Sequence, residues 1–222
     1  VAACVGLYTI LLKRRHWSGV VLGGSAGSFP VLAGWTAVRP LAAPAVVMAT
    51  LVFVWTPAHA WALAVVYRDE FAAAGVAPLP AVTTLARPRR AVWASAVGTV
   101  VVAVLLLPAA GAAYAGSLVV GAPLFLLAYR SFHRVGGEPQ AVRAFFTSNA
   151  FLAVAFVAWG VDGVVTGHAL LTGTVAAVAT ATAFVGLWTA RPSLRDVRAA
   201  PPPLWVSRAA RACDRLRLRV TG

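Results

Sequence analysis

Apolar residues run along this chain in long unbroken blocks, without the strict alternation of a half-buried strand or the one-sided stripe of a soluble helix. Blocks of about 20 residues suffice to cross the roughly 30 Å hydrocarbon core of a bilayer. Six blocks of that kind cover 17–38, 42–65, 91–111, 113–130, 143–162 and 169–189, and residues 1–12 look like the end of another. A segment in hydrocarbon must satisfy its own backbone hydrogen bonds, so each block predicts an α-helix. The expected architecture is an all-α polytopic transmembrane bundle of about six full spans plus a partial first one. Residues 1–190 would form the membrane domain and 191–222 a separate basic tail.

The polar breaks refine this picture. Connections at 38–41, near 111 and at 162–168 are short, whereas the stretch from Tyr67 to Arg90 is long and carries Gly75, Pro78, Pro80 and Pro88, which forbid one continuous helix. Pro57 lies inside the second block. It lacks an N–H and its ring meets the carbonyl of Phe53, so a kink is expected that redirects His59, Trp61 and Tyr67. The first block holds Gly23, Gly24, Gly27 and Gly34, and the Gly23-to-Gly27 spacing suits close approach of two helices. The same missing side chains would alternatively leave room for a bulky isoprenoid or tetrapyrrole.

Composition agrees with a membrane protein: the chain is 60% hydrophobic and 11% charged, with a mean hydropathy of +0.82, outside the range of ordinary soluble domains. Its net charge of +13 could suggest nucleic acid. Placement argues otherwise, because if each span reverses direction, all 19 lysines and arginines except Arg39 fall on one side. That asymmetry is the signature of cytoplasmic loops. No nucleic-acid partner is expected, and the longer loops and the tail are expected at the cytoplasmic face of a multi-pass plasma-membrane protein. Beyond Pro203 the tail places Arg208, Arg211, Arg215 and Arg219 on one helical face and Trp205, Ala209, Ala212, Leu216 and Val220 on another, which suits an amphipathic helix on anionic membrane lipid. A disordered basic tail is the other reading. Cys4 and Cys213 have no metal-type spacing and imply neither a disulfide framework nor a zinc site.

Chemistry concentrates in Trp55–Pro80. Asp69 and Glu70 directly follow the second block. A carboxylate moved into hydrocarbon costs roughly 2.5–3.5 kcal/mol, so the pair belongs at the membrane edge or in a polar cavity. Either place suits a cation, with a solvated pair of loop acids as the plain alternative. Lys13, Arg14 and Arg68 are equally explained as topology determinants, His59 as a hydrogen-bonded helix histidine, and Tyr67 as an interfacial anchor.

Trp55, Thr56, Pro57, His59, Trp61, Ala62, Leu63, Ala64, Asp69, Gly75, Leu79 and Pro80 coincide without a gap with a region of the heme O synthase (protoheme IX farnesyltransferase) family, within the UbiA superfamily of intramembrane prenyltransferases. Upstream, Tyr8, Lys13, Arg14, Gly23, Gly24, Gly27, Pro30 and Gly34 resemble a second region of that family, and the likeness extends over about residues 7–162. The resemblance implies transfer of a farnesyl group from farnesyl diphosphate to a vinyl group of heme B. Asp69, with Glu70 helping, would hold Mg2+. Lys13, Arg14 and Arg68 would bind diphosphate oxygens, and His59 and Tyr67 would contact substrate. Catalysis would rest on Asp69, Lys13 and Arg14. Membrane lipid and heme A synthase are the further partners such a family member would have.

Departures matter as well. The sequence has Val76-Ala77-Pro78-Leu79-Pro80 where the family pattern is IPMLP, and Gly19 where an asparagine is usual. The superfamily's N-x-x-x-D-x-x-x-D motif, which binds another magnesium ion across the cavity, is not found, since the acidic residues are only Asp69, Glu70, Glu138, Asp162, Asp196 and Asp214. Together with the start at Val1 inside an apolar run, this leads to the expectation of an N-terminally incomplete chain, inactive alone. Alternatives are a prenyltransferase of the same superfamily acting on a quinone precursor or lipid alcohol, or a non-catalytic membrane scaffold or transporter. The scarcity of ionisable groups within the spans and the lack of an inverted repeat weigh against transport.

Overall fold

The computed structural model describes residues 19–73, 78–84, 86–165 and 167–190. Among them there is no strand. The helices are α1 (Gly19–Thr36), α2 (Ala43–Val66), α3 (Arg68–Ala73), α4 (Leu79–Val82), α5 (Ala86–Val104), α6 (Ala112–Val135), α7 (Glu138–Asp162) and α8 (Ala169–Ala190), with a 3-10 turn at Leu107–Ala109. Expectations for residues 1–12, Lys13, Arg14, Gly75 and the tail 191–222 lie outside the described residues.

Among the described residues five helical segments are long and apolar enough to cross a membrane: Ala43–Val66, Ala86–Ala109, Ala112–Val135, Glu138–Asp162 and Ala169–Ala190. The chain is therefore a multi-pass membrane protein. The expected span 17–38 is α1, an 18-residue helix whose glycines and Pro30 dilute its apolar content, and it is not among the five. The Tyr67–Arg90 stretch is broken as its prolines require, into α3, α4 and the start of α5. α5 and α7 begin several residues before their apolar blocks, at Ala86 and Glu138: Arg87, Arg89 and Arg90 are good helix formers that extend α5, while Glu138 and Pro139 suit the first turn of α7.

α2 packs against α1, α5 and α7, while α6 packs against α5, α7 and α8. The α1–α2 seam uses missing side chains, since a Cβ on Gly24 would stand 3.1 Å from Thr56 Cβ and one on Gly27 3.4 Å from Val52. Gly24 and Gly27 thus allow the close approach of α1 to α2. Between α6 and α7 the chain reverses through Gly136 (φ 72°) and Gly137 (φ 89°), a left-handed pair that residues with a Cβ rarely adopt.

Polar contacts pin both ends of α6. At its C-terminus the Arg89 guanidinium donates to the carbonyls of His133 and Arg134, satisfying helix-end acceptors that have no partner within the helix. At its N-terminus the Asp162 carboxylate, at the end of α7, accepts from the N–H groups of Gly111 (2.9 Å), Ala113 (2.8 Å) and Tyr114 (2.9 Å). Asp162 therefore caps α6 from across the bundle. Phe125 lies 4.6 Å from both Phe151 and Tyr129, centroid to centroid, in the α6–α7 core.

Candidate functional site

α2 runs through Pro57 as a single helix. The ladder there is completed from outside: Ser95 Oγ, on α5, accepts from the Ala58 N–H at 3.1 Å and donates to the Val54 carbonyl at 2.5 Å. A neighbouring hydroxyl thus bridges the rung next to the proline, the kind of repair that lets proline sit in a spanning helix. Thr56 Oγ1 donates to the Val52 carbonyl at 2.7 Å.

One turn further on, His59 is clamped on both faces. Its ring is stacked on Trp55, with centroids 4.3 Å apart, and on Phe145 of α7, at 4.4 Å. Trp55 Nε1 donates to the Ser148 carbonyl at 3.1 Å, which ties the outer wall of the sandwich to α7. His59 Nδ1 lies 2.8 Å from Ser148 Oγ, and Ser148 Oγ donates to the Phe145 carbonyl at 2.7 Å. With both ring faces covered and Nδ1 engaged, the remaining polar edge of the half-buried ring is Nε2.

From His59 to the end of α2 is about 10 Å along the axis at 1.5 Å per residue. There Tyr67 is buried. Its carbonyl accepts from the Phe71 N–H at 3.0 Å, so α3 follows α2 almost without a gap. Asp69 and Glu70 occupy the first turn of α3, and with Arg68 they are exposed. Pro78, Leu79 and Pro80 are buried, and α4 packs on α2, α3 and α5, so the connection folds back over the bundle beside the acidic pair. Among the described residues no group of three or more His, Cys, Asp and Glu could hold a metal ion. A pair of adjacent carboxylates is still adequate as a partial shell, because magnesium keeps several waters and is usually held by one or two carboxylates plus substrate phosphates.

Of the residues singled out from sequence, Arg68, Asp69 and Glu70 form one exposed cluster at the end of α2, with Tyr67 buried beneath it. His59 lies deeper, inside the helix bundle. Lys13 and Arg14 are outside the described residues. The sequence reading did not single out Ser95, Phe145 or Ser148. Their one signal was available, a serine inside an apolar span, which must find a partner because lipid offers none.

Comparison with known proteins places this geometry in context. The profile of the UbiA prenyltransferase family matches residues 1–150. A protein named protoheme IX farnesyltransferase from Rhodococcus jostii (strain RHA1) is 40% identical over 168 residues, covering 74% of this chain and 56% of that protein. One of the same name from Mycobacterium sp. (strain KMS) is 43% identical over 175 residues, 77% of this chain and 56% of the relative. Another, from Corynebacterium glutamicum (strain R), is 41% identical over 170 residues, 71% and 52% respectively. The chain spans about half the length of these curated relatives. No solved structure matches it significantly.

Proposed function

Given that the chain belongs to the UbiA prenyltransferase family, we propose that its protein transfers the farnesyl group of farnesyl diphosphate to a vinyl group of protoheme IX (heme B), giving heme O. The observation that carries this reading is the continuous run from Trp55 to Glu70, which joins an aromatic-clamped histidine to an exposed acidic pair about three turns beyond it. Relatives with 40–43% identity bearing the name of that activity support it.

The chemistry asks for two unlike environments, and this run offers both. The diphosphate leaving group carries several negative charges and needs a cation and fixed positive groups beside it. Asp69, with Glu70, would hold Mg2+ at the membrane edge, and the ion would supply positive charge for the departing diphosphate. Arg68, Lys13 and Arg14 would bind its oxygens, arginine through its planar fork and lysine as a point charge. The C1–O bond of the farnesyl group then breaks, the heme vinyl π bond attacks the allylic cation, and water captures the resulting cation with loss of a proton. That leaves a hydroxyethylfarnesyl side chain. His59 and Tyr67 would contact the porphyrin from α2. The basic face, and with it the site, would be cytoplasmic in the plasma membrane, and heme A synthase would receive the product.

Asp69→Asn tests the reading. In membranes supplied with heme B, farnesyl diphosphate and Mg2+, the substitution should lower heme O formation by about 100-fold or more, the scale on which loss of one preorganised electrostatic group acts. Chromatography of extracted hemes measures it, and an unchanged rate would remove Asp69 from the mechanism.

A further inference from the structure

The hydrogen atoms around His59 can be counted. Ser148 Oγ has one proton, and it is committed to the Phe145 carbonyl 2.7 Å away. At its 2.8 Å contact with His59 Nδ1 the hydroxyl can therefore only accept, so Nδ1 carries the ring proton. The buried Tyr129 hydroxyl has no hydrogen-bond partner of acceptable geometry, so it does not compete for the Ser148 proton. A neutral imidazole protonated at Nδ1 has its lone pair at Nε2, and among the described residues nothing hydrogen-bonds Nε2.

The stacking narrows the possibilities further. Trp55 and Phe145 cover the two ring faces at 4.3 and 4.4 Å, which leaves approach in the ring plane, along the Nε2 lone pair. Imidazoles that bind metals characteristically donate their second N–H to an oxygen acceptor, which fixes tautomer and orientation and raises the basicity of the ligating nitrogen. Here Ser148 Oγ, itself anchored on α7 and fully buried, is that acceptor.

We propose that Ser148 is a positioning residue of the heme site: its hydroxyl keeps the His59 proton on Nδ1 and leaves Nε2 as the nitrogen that meets the heme iron. This rests on the reading of His59 as a heme contact, but the tautomer is a property of the protein without heme. The dependence crosses from α7 to α2, so a residue far from the acidic pair governs how the acceptor substrate is held.

The experiment has two arms. The first uses the chain labelled with 15N-histidine in lipid nanodiscs without heme, its four histidines distinguished by the signal that His59→Gln removes. The imidazole shifts of His59 should be of the protonated type at Nδ1 and the unprotonated type at Nε2, and Ser148→Ala should shift the balance toward the Nε2-protonated form while Ser148→Thr keeps the original. The second arm titrates the same variants with ferric protoporphyrin IX. Ser148→Ala should weaken binding about 10- to 100-fold and alter the imidazole-ligated absorption and EPR signature, with Ser148→Thr restoring both. An Nε2-protonated His59 in the unaltered chain overturns the proposal, as does a Ser148→Ala chain with unchanged affinity and spectra; the latter leaves the heme reading standing. If His59→Gln binds the porphyrin as well as the unaltered chain does, the heme contact itself fails and the role of Ser148 with it.

Discussion

Two serines do comparable work at different depths of α2. Ser148 addresses a side chain, whereas Ser95 addresses the backbone, standing between the Ala58 N–H and the Val54 carbonyl beside Pro57. Interhelical hydrogen bonds in membranes contribute only about 0.6 kcal/mol on average, yet a buried backbone group left without a partner costs about 1–3 kcal/mol. Ser95→Ala removes both bonds and leaves the Ala58 N–H and the Val54 carbonyl, donor and acceptor of one helical rung, to close on each other beside Pro57, so the cost falls between the two. The expected loss is about 1–2 kcal/mol, read from unfolding in mixed micelles, and Ser95→Thr, which keeps the hydroxyl, should lose less. The acidic pair and His59 were legible from sequence because an ionisable group beside or inside an apolar run stands out by its cost. Their partners were not. Ser95 and Ser148 look like ordinary span residues until the fold brings together positions 37 and 89 residues apart.

Helix contacts follow the same division between what a run of residues announces and what only packing reveals. Apolar blocks predicted where helices lie, and the prolines of 67–90 predicted where α3 and α4 interrupt them, because both effects are local. Helix ends were less legible: α5 extends into an arginine-bearing segment and α7 into one that opens with Glu138 and Pro139, residues that suit a helix start although apolarity has stopped. The α6–α8 crossing was not visible at all, since it depends on two glycines in distant helices. A Cβ on Gly116 would stand 2.1 Å from the Gly173 carbonyl oxygen, a distance at which backbone must move. Gly116→Ala should therefore destabilise by about 1–3 kcal/mol, the usual cost of overpacking, and hydrogen–deuterium exchange should quicken in α8 while α2 and α5 hold. Gly160→Ala is the control, because an added methyl there meets nothing within 4 Å. Equal effects from the two substitutions would mean that α8 is not held through this contact.

At the scale of the molecule, the two ends of the bundle differ in charge. Arg89 reaches the C-terminus of α6, so the start of α5 and the end of α6 share one end, together with Arg134. Asp162 reaches the N-terminus of α6, so the end of α7 lies at the other. Among the described residues this arrangement agrees with the charge pattern expected from sequence, which sets Arg39 opposite Arg89 and Arg134. Positive loops resist translocation, and the basic end should accordingly face the cytoplasm. Single cysteines can test this once Cys4 and Cys213 are replaced by serine. Val38, Val135 and Val164 are 79%, 69% and 82% exposed, so a thiol at any of them is open to reagent. In intact cells a membrane-impermeant maleimide should label Val38→Cys and Val164→Cys, and Val135→Cys only after permeabilisation. The converse pattern would put the acidic pair outside the cell, away from cytoplasmic farnesyl diphosphate, and would defeat the proposed reaction even if every contact around His59 were correct.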